Sequence, residues 1–360
     1  MRRSHFEQLR PVCPRCKHDR KIIAPLSLAA VAVEQGDTIL QGNLICSDSG
    51  CRLEYPIIDG IPIIVNNIRK YLADNVFQIN ARDDLSPVVE SILGDAVGPG
   101  TPFNVARHHL STYGWGHYGD KAPASRAEAA TGSDTTGTVA DCLSAGLRLL
   151  GAQAQAPLLD IGCAAGRTSF ELAQRFSGLT LGIDLNFSLL RLAQRVLHTG
   201  VATFPLKRVG IVYDRQEYPV AFENKDKVDF WACDALALPF QEETFRFTSA
   251  MNVFDVVNAP RDLLVAMDRA LATDGAAILA TPYDWSASTP IETWVGGHSQ
   301  RGLHGGSAEP LLRNMLSPGT AGAVGSLRIV GEVEEHPWNI RIHSRHSAQY
   351  VTHIVACRKN

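Results

Sequence analysis

The chain has 360 residues, of which 45% are hydrophobic and 20% are charged, and its formal net charge is −3. This length allows either two domains or one large domain with a small additional one, and the composition is that of a globular protein. The weak negative charge argues against a protein that binds nucleic acid mainly through phosphates. No apolar run of signal-peptide length follows the first residues, so we expect a cytoplasmic protein with reduced cysteines and no membrane partner.

Four of the eight cysteines lie near the N-terminus and form two pairs. Two residues separate Cys13 from Cys16, and four separate Cys46 from Cys51. Such pairs present two thiolates to one ion, and two pairs complete a tetrahedral zinc site. Four cysteine ligands leave no open coordination position, so the pattern predicts a structural zinc rather than a catalytic one.

The segment after the second pair contains two apolar runs joined by Asp59-Gly60, which predicts a strand, a turn and a second strand. Together with the cysteines, its pattern Tyr-Pro-Ile-x-Asp-Gly-Ile-Pro resembles the zinc ribbon that activates several tRNA and protein methyltransferases. The resemblance covers residues 11–68 and implies a folding or docking role. We therefore predict a zinc-ribbon domain at residues 1–68, on which a protein partner could dock.

Residues 69–140 are predicted to form a helical and linker region. Helices are expected from Tyr71 to Ile79 and from Ser86 to Leu93. The stretch from His108 to Asp120 is dense in aromatic residues, histidines and glycines, which is typical either of a lid over a site or of a loop packed on the surface. The small polar residues from Ala122 to Thr138 predict a mobile segment.

The central stretch, Leu158 to Ala173, reads as a buried strand, a turn of small residues and an amphipathic helix. Its small residues Gly162, Ala164 and Gly166 stand at every second position, two places after Asp160. This spacing resembles the first motif of class I S-adenosylmethionine-dependent methyltransferases, with Ala164 in place of the middle glycine. The alternative is an ordinary strand-to-helix turn of another α/β protein.

Two later predicted strands also end in carboxylates, at Asp184 and at Asp234. Ligands of open α/β sheets bind beyond the carboxyl ends of the strands. Asp184 suits the two ribose hydroxyls of adenosine because a carboxylate accepts several hydrogen bonds, and Asp234 stands where adenine needs an acceptor. We therefore predict an α/β fold: a Rossmann-like, doubly wound, seven-stranded class I methyltransferase sheet in residues 141–360, preceded by the small zinc ribbon.

The resemblance implies S-adenosyl-L-methionine as the cofactor. The residues predicted to bind it follow the strand ends and are Asp160, Gly162, Cys163, Ala164, Gly166, Asp184, Leu185, Asp234, Ala235 and Asn252.

Residues 155–357 resemble a narrower group, the methyltransferase half of ovothiol-forming enzymes, which methylate a ring nitrogen of mercaptohistidine. Ile342 replaces a glutamate of the family pattern. The resemblance implies N-methylation of a small molecule with an imidazole or histidine-like acceptor. It is carried by Asp160 to Ala173, Asn252-Val253-Phe254-Asp255, Pro282-Tyr283-Asp284-Trp285, Thr289 to Gly297 and Pro337 to Arg345.

The predicted catalytic residues are Asp255, at the end of a predicted strand that begins at Phe247, and Tyr283 and His298, after a predicted strand from Ala276 to Thr281. A neutral nitrogen that accepts a methyl group loses a proton, and Asp255 or His298 is the candidate acceptor of that proton. Trp285 and Trp294 are further candidates for substrate contact.

Two other functions stay open at this stage. One is a methyltransferase of RNA or protein that docks its substrate through the zinc ribbon. The other is a regulatory module that keeps the methyltransferase fold without catalysis. Asp160, Asp184 and Asp234 argue against a lost site, since all three predicted cofactor carboxylates are present.

Overall fold

The computed structural model describes residues 1–123, 135–151 and 154–360. Within these ranges the helices are α1 Arg3–Leu9, α2 Pro14–Asp19, α3 Ile68–Asn80, α4 Pro87–Val97, α5 Pro102–Tyr118, α6 Thr138–Leu150, α7 Arg167–Arg175, α8 Phe187–Thr199, α9 Pro260–Ala270 and α10 Glu309–Met315. The strands are β1 Leu26–Gln35, β2 Thr38–Cys46, β3 Glu54–Ile58, β4 Ile61–Ile64, β5 Leu158–Ile161, β6 Thr180–Asp184, β7 Val201–Val209, β8 Val212–Pro219, β9 Val228–Cys233, β10 Phe245–Met251, β11 Leu271–Thr281, β12 Leu327–His343 and β13 His346–Lys359.

A single mixed sheet organises the fold, in the order β1-β2-β3-β4-β9-β6-β5-β10-β11-β13-β12. The strands from β4 to β11 in this order are parallel, and β13 is antiparallel to both of its neighbours. The strands β5 and β9 are buried along their whole length, as expected of parallel strands covered on both faces.

The sheet has eleven strands in the described residues, and seven of them belong to the region, residues 141–360, for which a seven-stranded sheet was predicted. The strands from β9 to β12 in the sheet order come from residues after 157, and the first four come from the N-terminal part. The two parts join where Ile63 and Ile64 of β4 pair with Ala232 and Cys233 of β9. The cysteine-rich part therefore extends the main sheet.

The stretch from His108 to Asp120 is largely helical and not an irregular loop. It lies in α5, where Trp115 and Tyr118 are buried. The glycines suggested a loop, but a Cβ on Gly114 would lie 2.5 Å from Cγ of Phe204. This glycine therefore lets α5 approach β7 closely. Most of the segment predicted to be mobile, from Ala122 to Thr138, lies outside the described residues.

Other predicted elements are present. The helices expected near residues 71–79 and 86–93 are α3 and α4, and the insertion after α8 forms the antiparallel hairpin β7–β8. The last two strands, β12 and β13, are long, with 17 and 14 residues. In the described part of the chain, no helix combines the length and the apolar character needed to cross a bilayer.

We expect the substitution Gly166→Ala to destabilise the protein. Gly166 has a φ of 86°, and an added Cβ would lie 2.6 Å from Cζ of Phe230 and 2.8 Å from Cβ of Ala193. Overpacking of this kind lowers the free energy of unfolding by about 1–3 kcal/mol, measurable by urea denaturation. The control is Gly100→Ala, where nothing lies within 4 Å of the added Cβ. Equal losses in the two variants would contradict the packing explanation.

Candidate functional site

A cavity of about 540 Å³ lies beyond the carboxyl ends of β5, β6, β9 and β10. Residues of α5, α6, β12 and β13 form its opposite wall. Among the described residues that line it are four aspartates, Asp184, Asp234, Asp255 and Asp284, and neither a lysine nor an arginine. The side chains of the cavity therefore favour positively charged groups over anions.

Asp160 is buried in β5 and does not line the cavity. Its carboxylate accepts hydrogen bonds from Oγ of Ser169 at 2.7 Å, from Oγ of Ser249 at 2.9 Å and from Oγ1 of Thr168. Burial raises the pKa of Asp160 to about 6, and the three hydroxyl groups oppose this rise. Asp160 therefore stabilises the turn through hydrogen bonds and lies outside the lining of the cavity.

The turn between β5 and α7 contains three residues with positive φ: Gly162 at 68°, Ala164 at 46° and Gly166 at 86°. A Cβ on Gly162 would lie 2.3 Å from Cγ2 of Val253, so this position requires glycine. Ala164 adopts the left-handed conformation without being glycine, and its N–H donates to Oδ2 of Asp184 at 2.9 Å. The turn therefore brings backbone groups to the edge of the cavity.

Asp184 and Asp234 end two neighbouring strands and face the cavity. Oδ1 of Asp184 accepts from the Asn186 N–H at 2.7 Å, and Oδ1 of Asp234 accepts from the Leu236 N–H at 2.9 Å. Burial raises the pKa of Asp184. Gly166, like Asp160, lies outside the cavity lining. The predicted cofactor residues that do line the cavity are Gly162, Cys163, Ala164, Asp184, Leu185, Asp234, Ala235 and Asn252.

Asn252 follows β10 with a φ of 53°. Its backbone N–H donates to the Ala280 carbonyl at 2.8 Å, which fixes the residue between β10 and β11. Oδ1 of Asn252 is buried and has no hydrogen-bond partner in the ranges that the structure covers. An unsatisfied buried acceptor costs free energy, so this oxygen suits a hydrogen-bond donor supplied by a ligand.

Asp255 is the predicted catalytic residue that the structure places in the cavity wall. Only 2% of its surface is exposed, Oδ2 accepts from the Asp284 N–H at 2.8 Å, and Oδ1 has no partner among the described residues. Burial, with a smaller contribution from the negative charge of Asp284, raises the pKa of Asp255 to about 6. A carboxylate with this pKa exchanges protons near neutral pH.

Tyr283 and His298, the other two predicted catalytic residues, do not line the cavity. The hydroxyl of Tyr283 lies 2.7 Å from Nδ1 of His353, whose Nε2 lies 3.1 Å from Glu332. His298 is exposed, and its Nδ1 lies 3.3 Å from the Gly296 carbonyl. The structure therefore places both side chains outside the lining of the cavity that contains Asp255.

Trp285 and Trp294 also lie outside the cavity lining. Their rings stack at 5.7 Å with an angle of 13° between the planes, and the indole N–H of Trp294 donates to the Thr289 carbonyl at 3.0 Å. The two tryptophans therefore stabilise the loop after β11. Arg341 is buried and donates to the Lys207 carbonyl at 2.9 Å, so it fastens β12 to the hairpin β7–β8.

The opposite wall contains residues that the sequence analysis did not single out as site residues. The density of aromatic residues and histidines could have indicated that the α5 segment contributes to the site, although it did not indicate a helix. Residues 338 and 340 lie on one face of β12 because side chains alternate along a strand with a period of two residues. Burial raises the pKa of Tyr113 to about 12. The lining residues concerned are His109, Thr112, Tyr113, His117, Thr138, Val139, Trp338, Ile340 and Tyr350.

The four predicted metal ligands lie together. The sulfur atoms of Cys13, Cys16, Cys46 and Cys51 are all within 4.8 Å of one another. Sγ of Cys13 is 3.9 Å from Sγ of Cys51, and Sγ of Cys16 is 3.7 Å from Sγ of Cys46. Four sulfurs bound to zinc at about 2.3 Å lie about 3.8 Å apart in a tetrahedron. The donor set and its spacing fit a zinc ion.

Comparison with known proteins identifies the domain. Residues 159–279 match the family model described as a methyltransferase domain. A search of curated proteins by sequence found no match. The matched range begins at β5 and ends in β11, so it contains the turn and the strand ends that form one side of the cavity.

Solved structures with similar parts have low sequence identity to this chain. The Haemonchus contortus phosphoethanolamine N-methyltransferase 2 is 18% identical, with a TM-score of 0.30. The match covers 38% of this chain and only 28% of that enzyme. The geranyl diphosphate C-methyltransferase of Streptomyces coelicolor is 18% identical over 38% of this chain and 45% of its own, with a TM-score of 0.29. MccD protein is 14% identical over 61% of this chain and 96% of its own, with a TM-score of 0.39. Such TM-scores say nothing about the substrate.

The family match shows that residues 159–279 form a methyltransferase domain. S-adenosylmethionine is the cofactor that the resemblance in the sequence implies. The cavity fits this cofactor in two respects. It presents carboxylates at two adjacent strand ends, and the unsatisfied Oδ1 of Asn252 suits the cofactor's ammonium group.

The substitution Asp184→Ala is expected to weaken binding of S-adenosylhomocysteine at least tenfold, because hydrogen bonds to a charged group contribute about 1.5–3 kcal/mol. Isothermal titration calorimetry measures this change. The control is Asp226→Ala, which removes an exposed aspartate outside the cavity and should leave the affinity within about twofold. An unchanged affinity in Asp184→Ala would show that this carboxylate does not bind the cofactor.

Proposed function

We propose that the protein N-methylates a small molecule whose acceptor is an imidazole or a similar neutral nitrogen, with Asp255 as the proton acceptor. The observation that carries the proposal is the acidic cavity, whose described lining includes four aspartates and no basic residue other than histidine. Such a lining disfavours phosphate groups near the methyl acceptor and favours a basic nitrogen. The resemblance to ovothiol-forming enzymes supports the same acceptor class.

When bound, S-adenosylmethionine supplies an electrophilic methyl group with a good leaving group. The chain contributes binding and orientation, and aligned reactants can account for about 7–11 kcal/mol of the barrier. The walls from α5, β12 and β13 face the strand ends across the cavity, so they enclose the space in which an acceptor would lie. A shared cavity of about 540 Å³ suits a cofactor and a small acceptor.

Asp255 performs the remaining step in this proposal. Its free Oδ1 accepts the proton that the acceptor nitrogen loses, while the Asp284 N–H holds Oδ2. Because burial raises the pKa of Asp255 to about 6, its carboxylate is ionised at neutral pH yet basic enough to take a proton.

The test of the acceptor class uses the full chain, methyl-labelled S-adenosylmethionine and a cell extract separated into small molecules, RNA and protein. Label in the small-molecule fraction is expected, and added histidine or a mercaptohistidine should compete with it. Label confined to RNA or protein would overturn the proposal and favour a macromolecular substrate docked through the cysteine-rich part. Cofactor binding without any transfer would favour a regulatory module.

The substitution Asp255→Asn should reduce the rate of methyl transfer by about 10²–10⁴-fold, because the general base is lost. In the wild-type enzyme, activity requires the ionised form, so kcat/KM should rise with pH below about 6 and level off above about 7. The controls are Tyr283→Phe and His298→Ala, which alter residues outside the cavity lining. A pH profile without this rise, or full activity in Asp255→Asn, would exclude Asp255 as the base.

We further propose that the four-cysteine cluster binds a structural zinc and is a zinc ribbon. The near-tetrahedral spacing of the sulfurs supports this assignment. The cluster lies in the part of the chain whose strand β4 pairs with β9 of the main sheet. Loss of the metal should therefore also destabilise the methyltransferase sheet.

Native mass spectrometry should find one zinc per chain, and chelation should lower the melting temperature by several degrees, because metal binding contributes folding free energy. Cys46→Ser should lose the metal. The matched control is Cys142→Ser, which alters a buried cysteine outside the cluster and should keep full zinc content. A wild-type protein purified without zinc that also gains no stability from added zinc would contradict the assignment.

A further inference from the structure

His117, near the end of α5, has two ring nitrogens in different surroundings. The residue is only 5% exposed and lines the cavity. Nδ1 accepts a hydrogen bond from the Arg167 N–H at 3.1 Å. Nε2 makes no hydrogen bond in the part of the chain that the structure describes, so it is the nitrogen free to bind a ligand in the cavity.

The hydrogen bond from Arg167 determines the tautomer of His117. A nitrogen that accepts an N–H bond carries no proton, so the single proton of the neutral ring lies on Nε2. Burial, assisted by the positive charge of Arg167, lowers the pKa of His117 to about 3. The ring is therefore neutral at physiological pH and presents a fixed N–H donor to the cavity.

Arg167 also holds His117 in place through its side chain. Nη1 of Arg167 donates to the His117 carbonyl at 2.6 Å and to Oδ1 of Asp120 at 2.7 Å, and Nε donates to Glu171 at 2.8 Å. The hydroxyl of Tyr118 donates to the Ala165 carbonyl within the glycine turn. These contacts hold the end of α5 against the start of α7. Because the His117 N–H donor is already held in place, it loses little conformational entropy when it binds a ligand.

The chemistry of the site selects the occupant. S-adenosylmethionine carries a carboxylate, which needs donors in a cavity lined by aspartates. His117 accepts a hydrogen bond from the first residue of α7 and so lies at the N-terminal end of that helix. The N-terminal end of a helix favours negative charge. Oδ1 of Asn252 offers the acceptor that the neighbouring ammonium needs.

We propose that Nε2–H of His117 donates to the carboxylate of the cofactor's methionine moiety, so that His117 and Asn252 together recognise this zwitterionic end. The inference rests on the function proposed above, because it takes S-adenosylmethionine as the occupant of the cavity. It assigns a binding role to a residue of α5, outside the matched methyltransferase range.

The test compares two ligands by isothermal titration calorimetry: S-adenosylhomocysteine, and 5′-methylthioadenosine, which lacks the carboxylate and the ammonium. His117→Asn keeps an acceptor near Nδ1 and removes the donor, whereas His117→Gln places an amide N–H near Nε2. We expect His117→Asn to weaken S-adenosylhomocysteine about 10–100-fold and methylthioadenosine less than about twofold. His117→Gln should recover part of the loss.

Nuclear magnetic resonance of the imidazole nitrogens gives a readout that is independent of activity. The free protein should show a protonated Nε2 and an unprotonated Nδ1, and the Nε2–H signal should shift with S-adenosylhomocysteine but not with methylthioadenosine. The affinity ratio of the two ligands should stay constant from about pH 6 to about pH 8, since the ring does not titrate there.

Three outcomes would overturn the proposal. Equal losses for both ligands in His117→Asn would make His117 a structural residue. Unchanged affinity for S-adenosylhomocysteine would mean that Nε2–H donates to another group, such as the methyl acceptor. Binding of neither ligand by the wild-type chain would overturn the cofactor assignment and the proposed function together, which distinguishes that failure from the first two.

Discussion

The buried carboxylate of Asp160 is the interaction on which the site depends. Three hydroxyl groups from α7 and β10 converge on it, and a buried charge without such donors would be costly. Because two of the donors, Thr168 and Ser169, begin α7, the carboxylate fixes the start of the helix relative to β5. The turn between them then places the Ala164 N–H against Asp184. One hidden side chain thus aligns the groups that face the ligand.

The helix α5 closes the cavity from the side opposite the strand ends. Its fastening to the turn by His117 and Tyr118 makes the wall a fixed part of the site. The packing of Gly114 against Phe204 brings the hairpin β7–β8 behind this helix. The methyltransferase domain therefore obtains part of its ligand site from a segment that precedes the matched range.

Short-range patterns predicted the elements and the side of the sheet on which the cavity lies. The small-residue turn and the carboxylates Asp184 and Asp234 are local features, and parallel strands carry such residues to a common edge. The four cysteines were predictable for the same reason, since ligand spacing is local.

Side-chain direction and long-range packing were not predictable in this way. Tyr283 leaves the cavity because its backbone takes a φ of 57° and because its hydroxyl meets His353, which lies seventy residues further along the chain. Asp160 turns inward because Ser249 of another strand completes its hydrogen bonds. The extension of the sheet beyond seven strands depends on two residue pairs between β4 and β9, which no local pattern reveals.

The acidic lining has a consequence for turnover. In the proposed reaction, methyl transfer converts the cofactor's positively charged sulfonium into a neutral thioether, while the cavity lining contains four aspartates. Attraction between opposite charges is stronger in a partly buried cavity than in water, so the spent cofactor loses a favourable interaction that the fresh one has. In the proposed reaction, the same carboxylates would therefore favour the charged donor over the neutral product in the cavity.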